Sequence, residues 1–291
     1  MKRSFILFFI IMLLLCGCSP QEPAQVAATT LPVYEFTARI CEGTGITVTR
    51  LVTESVSCLH DYSLNVSQVK AVEAAELIVI SGAGLEEFME DILHNKTVVD
   101  SSEGISILEC EHDHSHEHAA EHGHHHEVDS HIWLAPENAM DMAVNIFEGL
   151  SGKYPQHRAA FEGNLQTLLA DLQTLQAYGE EQLSGLSNRD LITFHDGFGY
   201  FAHSYDLHIL EAVEEESGSE ASAQELKHLI GIVREHHLPA IFTEINGSVS
   251  AADVIARETG ANTFALDMAM GGDSYFDAMY HNIDTIKEAM G

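Results

Sequence analysis

Short apolar segments alternate with amphipathic helical segments along most of this chain. In the first half, this alternation predicts parallel β-strands joined by crossover helices, which is typical of an α/β unit. The predicted strands are 26–30, 46–52, 77–81, 97–100 and 105–108, and the predicted helices are 34–41, 67–75 and 85–93.

The same alternation returns in the second half. One helix there has a clear start signal, because Ser222 is followed three residues later by Glu225, as in a capping box. Another has a stop signal, since Gly260 follows its last residue. The predicted strands are 191–194, 209–213, 240–245 and 263–266, and the predicted helices are 200–204, 222–237, 249–259 and 273–290. A further helix is predicted at 136–150, at the end of the first half.

A longer helix is predicted between the two halves, at 155–183. Its apolar residues keep helical spacing, and 29 residues would span roughly 43 Å at 1.5 Å per residue. A coiled-coil seam is the alternative interpretation. We therefore expect two α/β lobes with parallel-type sheets, bridged by one long rigid helix: an N-terminal lobe at 26–150, a linker helix at 151–188 and a C-terminal lobe at 189–291.

The N-terminus has the pattern of an export signal. Met1-Lys2-Arg3 is followed by an apolar run at 5–15, which is too short to span a bilayer. The run ends in Leu15-Cys16-Gly17-Cys18, which resembles the bacterial lipoprotein signal. That resemblance implies a signal peptide at 1–17, lipid attachment at Cys18 and a tether at 18–25. The protein would then be exported and held at the outer face of the cytoplasmic membrane only by its lipid.

Charge narrows the range of partners. The chain has 13 basic and 45 acidic residues, giving a net charge of −32. This argues against binding to nucleic acid or to anionic lipid and favours cationic partners, although acidity also keeps an exported protein soluble. Three cysteines follow the anchor, so at least one thiol is free or paired in trans. We predict a disulfide between Cys58 and Cys110, with Cys41 left out.

A histidine-rich run interrupts the chain at 112–126. It contains eight of the 19 histidines and no apolar side chain larger than alanine, so it cannot form a packed core. Imidazole is a common zinc ligand, and the interspersed carboxylates attract cations. The run predicts an auxiliary metal-collecting loop, and a solvated polar loop with chance histidine bias is the alternative. Its histidines are His112, His114, His116, His118, His122, His124, His125 and His126.

Four metal-capable residues fall at or just beyond predicted strand ends or loops. In open α/β sheets, binding sites lie at the carboxyl ends of the strands. Three imidazoles and one carboxylate suit zinc. An isolated histidine is more often a hydrogen-bonded structural residue, so spacing alone leaves this alternative open. The four residues are His60, His131, His195 and Asp267.

Three ordered motifs carry a family resemblance. Leu59-His60-Asp61-Tyr62-Ser63, Asp129-Ser130-His131-Ile132-Trp133-Leu134 and His195-Asp196-Gly197-Phe198-Gly199 surround the histidine-rich run. Together with the final Asp273-Ser274-Tyr275 segment, they resemble the metal-receptor group of solute-binding proteins that serve ABC importers of zinc, manganese or iron. The resemblance implies a metal in the interlobe cleft, little hinge closure and a membrane permease as partner, and we expect the protein to be a monomer. The resemblance also assigns His60, His131 and His195 as ligands, with Asp267 as the fourth.

Two departures from the family pattern bear on the metal. Leu59 stands where many relatives have Pro or Glu, so no carboxylate precedes His60 as an extra ligand. Manganese and iron receptors usually carry Glu where this chain has His195. Imidazole suits zinc better than manganese, so we expect Zn²⁺, with Mn²⁺ or Fe²⁺ as the alternative.

The sequence also allows other interpretations. Glu244 ends a predicted strand and either orients a ligand imidazole or serves as a cap or ion-pair partner. Trp133 is expected to form an apolar wall beside the site. A zinc-dependent hydrolase is the rival class, but the chain has neither the G-x-S-x-G nor the H-E-x-x-H motif. An adhesin or metal buffer without a transporter is a third possibility.

Overall fold

The computed structural model describes residues 24–54, 59, 62–108, 128–214, 221–245 and 247–291. Several predictions fall outside these ranges: the signal peptide, tether residues 18–23, the lipid site at Cys18, the ligand His60, the histidine-rich run, and the Cys58–Cys110 pair. Within the described ranges, no helix is both long and apolar enough to cross a membrane. Cys41 is a buried free thiol, and burial raises its pKa to about 12.

The N-terminal half forms a four-stranded sheet in the order β2-β1-β3-β4, with every neighbouring pair parallel. A parallel sheet needs helices on its faces, which explains the nearly continuous apolar sequence Leu-Ile-Val-Ile of β3. The strands are β1 (Val26–Ala28), β2 (Val48–Arg50), β3 (Leu77–Ile80) and β4 (Val98–Asp100), and the helices are α1 (Leu31–Ile40), α2 (Val66–Ala74), α3 (Glu90–Leu93) and α4 (Pro136–Lys153).

The C-terminal half repeats this topology, with parallel strands in the order β6-β5-β7-β8. The predicted capping box is present, because Ser222 and Glu225 exchange hydrogen bonds, and Gly260 ends its helix in the left-handed region at φ 81°. The strands are β5 (Asp190–His195), β6 (His208–Glu214), β7 (Ala240–Glu244) and β8 (Asn262–Leu266), and the helices are α6 (Gly199–Ser204), α7 (Ala223–Glu235), α8 (Ser250–Thr259) and α9 (Tyr275–Met290).

The long helix α5 (Arg158–Leu183) connects the halves, after a 3-10 turn at Pro155–His157. It packs against α1, α4 and α9, and its buried face includes Phe161 and Leu168. The predicted α/β class and long helix are therefore confirmed. The lobe boundaries at 150 and 188 stay predictions, and one core cluster of buried side chains draws members from both halves.

Two local predictions are wrong. Residues 105–108 are not a strand, because the backbone N–H of Leu108 donates to the Tyr200 hydroxyl at 2.8 Å and its carbonyl accepts from Asp129 N–H at 3.0 Å. These partners take the place of a sheet neighbour. The helix predicted at 85–93 is a 3-10 turn, Glu87–Met89, followed by a single α-helical turn. Glu86, the residue before this 3-10 turn, is hydrogen-bonded to residues that follow β1 and β3.

Glu86 lies buried at the carboxyl edge of the N-terminal sheet. Its carboxylate accepts hydrogen bonds from the Thr29 hydroxyl at 2.6 Å, from Ser81 N–H at 2.7 Å and from Gly82 N–H at 3.0 Å. Burial raises the pKa of Glu86 to about 7, in opposition to these three donors. This carboxylate therefore ties the end of β1 to the segment that follows β3.

Candidate metal site

The strand order places two functional side chains next to each other. The chain leaves β5 toward β6 on one side and then crosses to β7 on the other, so β5 and β7 flank the point where the winding direction changes. Ligands of open α/β sheets bind at such points. His195 is the last residue of β5 and Glu244 the last of β7, and Nδ1 of His195 lies 3.3 Å from Oε1 of Glu244. Both side chains are more than nine-tenths buried.

His131 reaches the same place from the N-terminal half. It precedes the 3-10 turn Ile132–Leu134, whose three apolar side chains are fully buried and fix the backbone there. The Asp129 carboxylate accepts from the backbone N–H of His131 at 2.9 Å, and the same oxygen lies 2.9 Å from the ring Nδ1. Asp129 and His131 are both buried. The orientation of this ring is therefore set from two sides.

The two imidazoles face each other through their outer nitrogens. Nε2 of His131 lies 3.3 Å from Nε2 of His195, and the rings are nearly perpendicular at 89°. Each Nδ1 faces a carboxylate, which favours the tautomer with its proton on Nδ1 and its lone pair on Nε2. Two nitrogens bound at about 2.0–2.1 Å to a tetrahedral zinc lie about 3.3 Å apart. The observed separation matches that geometry.

A glycine-rich turn covers the two rings. A Cβ atom on Gly197 would lie 2.7 Å from Cδ2 of His195 and 2.8 Å from Nδ1 of His131, and one on Gly199 would lie 2.9 Å from the Asp129 carboxylate. The backbone of residues 196–199 can approach the two rings and the Asp129 carboxylate this closely only because Gly197 and Gly199 have no side chains. The glycines of the His-Asp-Gly-Phe-Gly motif therefore have a steric role beside the two candidate ligands.

Trp133 forms the apolar wall expected from the sequence. Its ring packs against His131 with centroids 5.4 Å apart, and its indole N–H donates to the Met268 carbonyl at 2.8 Å. The side chain is fully buried. Trp133 thus contacts a candidate ligand and also binds the segment that follows β8.

Asp267 directly follows β8, as predicted, but its carboxylate has a local partner. Ala269 N–H donates to Oδ1 of Asp267 at 2.8 Å, and Asn282 makes two hydrogen bonds of 2.7 Å to the Asp267 backbone. Across the part of the chain that the structure describes, no group of three or more His, Cys, Asp or Glu side chains is arranged to hold a metal. The structure thus brings His131 and His195 together, leaves Asp267 outside that pair, and does not describe His60.

Sequence reasoning named Glu244 as a partner for a ligand imidazole, and its contact with His195 fits that role. It assigned no role to Asp129 or to the two glycines. An aspartate two residues before a histidine was the available signal for Asp129, since a side chain at that spacing can accept from the histidine backbone N–H. The close approach of the glycines depends on tertiary packing and gives no such local signal.

A known protein family matches nearly the whole of this chain. The sequence profile of the family described as zinc-uptake complex component A, periplasmic (ZnuA), matches residues 26–289. The zinc-binding lipoprotein AdcA of Streptococcus pneumoniae strain R6 is 28% identical over 308 residues, covering 99% of this chain. This chain spans 60% of that lipoprotein's length.

Solved structures agree with the fold. A ZnuA crystal structure has a TM-score of 0.78 and 28% identity, covering 92% of this chain and 100% of the other. The Zn(II)-bound ZnuA-like domain of S. pneumoniae AdcA has a TM-score of 0.75 and 25% identity, covering 91% of this chain and 98% of that domain. The profile match extends over nearly the whole described chain, and the resemblance inferred from the sequence motifs is confirmed: this chain belongs to the family of periplasmic component A of zinc-uptake complexes.

Proposed function

We propose that this protein is an extracytoplasmic receptor that captures Zn²⁺ and delivers it to the permease of an ABC importer. The observation that carries the proposal is the pair of imidazole Nε2 atoms 3.3 Å apart, contributed by His131 and His195 from the two halves of the chain. Each ring is backed by a buried carboxylate, Asp129 or Glu244. Such carboxylate–histidine pairs raise ligand basicity and fix ring orientation in zinc sites.

Zinc is favoured over manganese and iron by the donor set. The two assembled donors are nitrogens at a tetrahedral separation, whereas manganese prefers oxygen-rich, octahedral surroundings. The AdcA relative is named a zinc-binding lipoprotein, and its ZnuA-like domain has a Zn(II)-bound structure. We propose His60 and Asp267 as the remaining ligands, one from each half of the chain.

A receptor role also fits better than zinc-dependent hydrolysis. A hydrolase needs a general base beside an open coordination position. The two carboxylates that adjoin the assembled histidines, Asp129 and Glu244, both face imidazole Nδ1 atoms. Their positions suit ligand support rather than proton abstraction from a bound water.

The remaining parts of the proposal come from the sequence. Cys18 would carry the lipid that holds the receptor at the membrane, and the run at 112–126 would gather zinc near the tight site. The receptor would act as a monomer, since one protomer supplies all four proposed ligands.

Metal competition tests this function. Purified apo-protein would be titrated with Zn²⁺, Mn²⁺, Fe²⁺ and Ni²⁺ in the presence of a calibrated chelator, with His208→Ala as the control. This exposed histidine begins β6 opposite Asp190, the first residue of β5, whereas His195 is the last residue of β5. We expect one tight zinc equivalent, preferred over manganese by at least a hundredfold. Tighter binding of manganese than of zinc would contradict the proposal. Copurification with a membrane permease would test the delivery step.

A further inference from the structure

The segment 267–275 crosses from the C-terminal half to the N-terminal half, and we call it the interlobe strap. It begins at the proposed ligand Asp267, directly after β8, and ends at Tyr275, the first residue of α9. Residues of the N-terminal half bind the strap near its beginning, in its middle and at its end. These contacts are Trp133 Nε1 to the Met268 carbonyl at 2.8 Å, Arg50 Nη1 to the Gly272 carbonyl at 2.8 Å, and Tyr275 N–H to the Glu35 carboxylate at 2.6 Å.

The end of the strap is the most strongly held part. Tyr275 is fully buried, its hydroxyl donates to the Trp133 carbonyl at 2.8 Å, and its ring packs edge-on against Phe36 with centroids 5.0 Å apart. Burial raises the pKa of Glu35, the acceptor of its N–H. The N-terminal half thus fixes both the backbone and the side chain of Tyr275.

The strap itself is bent and needs outside support. Ala269 has φ 54° and Gly272 has φ 77°, so the backbone turns through the left-handed region twice within four residues. Alanine adopts that region only where its surroundings hold it there. Ala269 N–H donates to the Asp267 carboxylate, so the bend and the orientation of that carboxylate are linked.

Asp267 is therefore positioned from two directions. Asn282 of α9 holds its backbone from within the C-terminal half through two hydrogen bonds of 2.7 Å. Arg50 and Glu35 hold the rest of the strap from the N-terminal half, which also supplies His131. A shift of the strap would move the carboxylate relative to that histidine.

We propose that Arg50 and Glu35 are positioning residues for zinc, because they hold the strap that carries Asp267, the proposed fourth ligand, against the half of the chain that supplies His131. The inference rests on the proposed zinc-receptor function and adds that retention of zinc depends on interlobe contacts remote from the metal. Neither residue touches zinc. Their loss acts through Asp267.

The test measures zinc dissociation after excess chelator is added to the zinc-loaded full-length protein. Arg50→Met removes the bond to the strap, and Glu35→Ala removes the acceptor for Tyr275 N–H, whereas Glu35→Gln keeps an acceptor oxygen. Arg234→Met is the matched control, because Arg234 also donates to a backbone carbonyl, that of Glu258, on the surface of the C-terminal half. We expect at least fivefold faster dissociation for R50M and E35A, and less than a twofold change for E35Q and R234M.

A double-mutant cycle separates positioning from general stability. In an Asp267→Asn background, R50M should accelerate dissociation by less than twofold, since the carboxylate that it positions is already gone. Three results would each overturn the inference. The first is wild-type zinc dissociation in R50M, and the second is an R50M acceleration that stays at full size in the Asp267→Asn background. The third is wild-type zinc retention by Asp267→Asn itself. If E35A fails to fold, the zinc dissociation rate of R50M alone tests the inference. Failure of the receptor function has a different signature, namely zinc retention by His131→Ala.

Discussion

Gly197→Ala tests whether the two imidazoles are held in a fixed geometry. The added methyl group would lie 2.8 Å from Nδ1 of His131 and 2.7 Å from both Cδ2 of His195 and the Met268 methyl. The shortest ordinary van der Waals separation is 3.4 Å, so the shortfall at His131 is about 0.6 Å. The methionine methyl can rotate away, but the two rings are buried, and their Nδ1 atoms lie 2.9 Å and 3.3 Å from carboxylate oxygens.

The magnitude follows from how little zinc tolerates ligand displacement. Zinc–nitrogen distances vary by only about 0.2 Å among sound sites. A shift of about 0.6 Å in the His131 ring or about 0.7 Å in the His195 ring therefore removes one good bond or strains the turn above it. We expect the zinc affinity of Gly197→Ala to fall at least tenfold, which is about 1.4 kcal/mol.

Isothermal titration with a competing chelator measures this loss. Gly163→Ala is the control, because Gly163 lies in α5 and a Cβ there meets nothing within 4 Å. That variant should bind zinc like the wild type and gain slightly in stability from higher helix propensity. Wild-type zinc affinity in folded Gly197→Ala protein would refute the reasoning, since it would show that the turn or the rings yield without loss of binding.

Four further predictions concern the same site and its surroundings. His131→Ala and His195→Ala should each weaken zinc binding at least tenfold in isothermal titration, about 1.4 kcal/mol; wild-type affinity in either variant would make the ligand assignment wrong. Deletion of 112–126 should remove weaker zinc equivalents and leave the tight one, and loss of the tight equivalent would mean that the run supplies a primary ligand. Zinc affinity should fall steeply from about pH 7 to 5, because free imidazole has a pKa near 6.5 and the proton competes with the metal; fewer than one proton released per zinc near pH 6 would favour a carboxylate-rich site. Peptide mapping without reduction should find Cys58 linked to Cys110, and alkylation of both would end that idea.

The fold was largely predictable because local and tertiary signals agree in most segments. The apolar run at 77–81 became β3, and the capping box at Ser222 starts α7 as expected. Where the prediction failed, a contact with a residue distant in the sequence determined the local structure. Residues 105–108 have a strand-like composition. However, the Leu108 N–H donates its hydrogen bond to the Tyr200 hydroxyl, 92 positions away, instead of to a neighbouring strand.

The site was predictable in its residues but not in its geometry. His131 and His195 were identified from their strand-end or loop positions and from family motifs. Their 3.3 Å approach joins residues 64 positions apart, and no local pattern encodes such a distance. Asp129 gave only a weak local signal, since its importance depends on its burial beside His131.

The repeated strand order has a practical consequence for redesign. Both sheets offer a crevice at the same topological point, but in the N-terminal sheet Glu86 is fully engaged by Thr29, Ser81 and Gly82, whereas in the C-terminal sheet Glu244 faces a histidine. In the first crevice the carboxylate is held by three hydrogen bonds, and the second crevice is where we propose that the metal binds. Selectivity for another metal could therefore be sought by substitutions at the ends of β5 and β7 alone, with Glu86 and its three hydrogen-bond donors in the N-terminal sheet left unchanged.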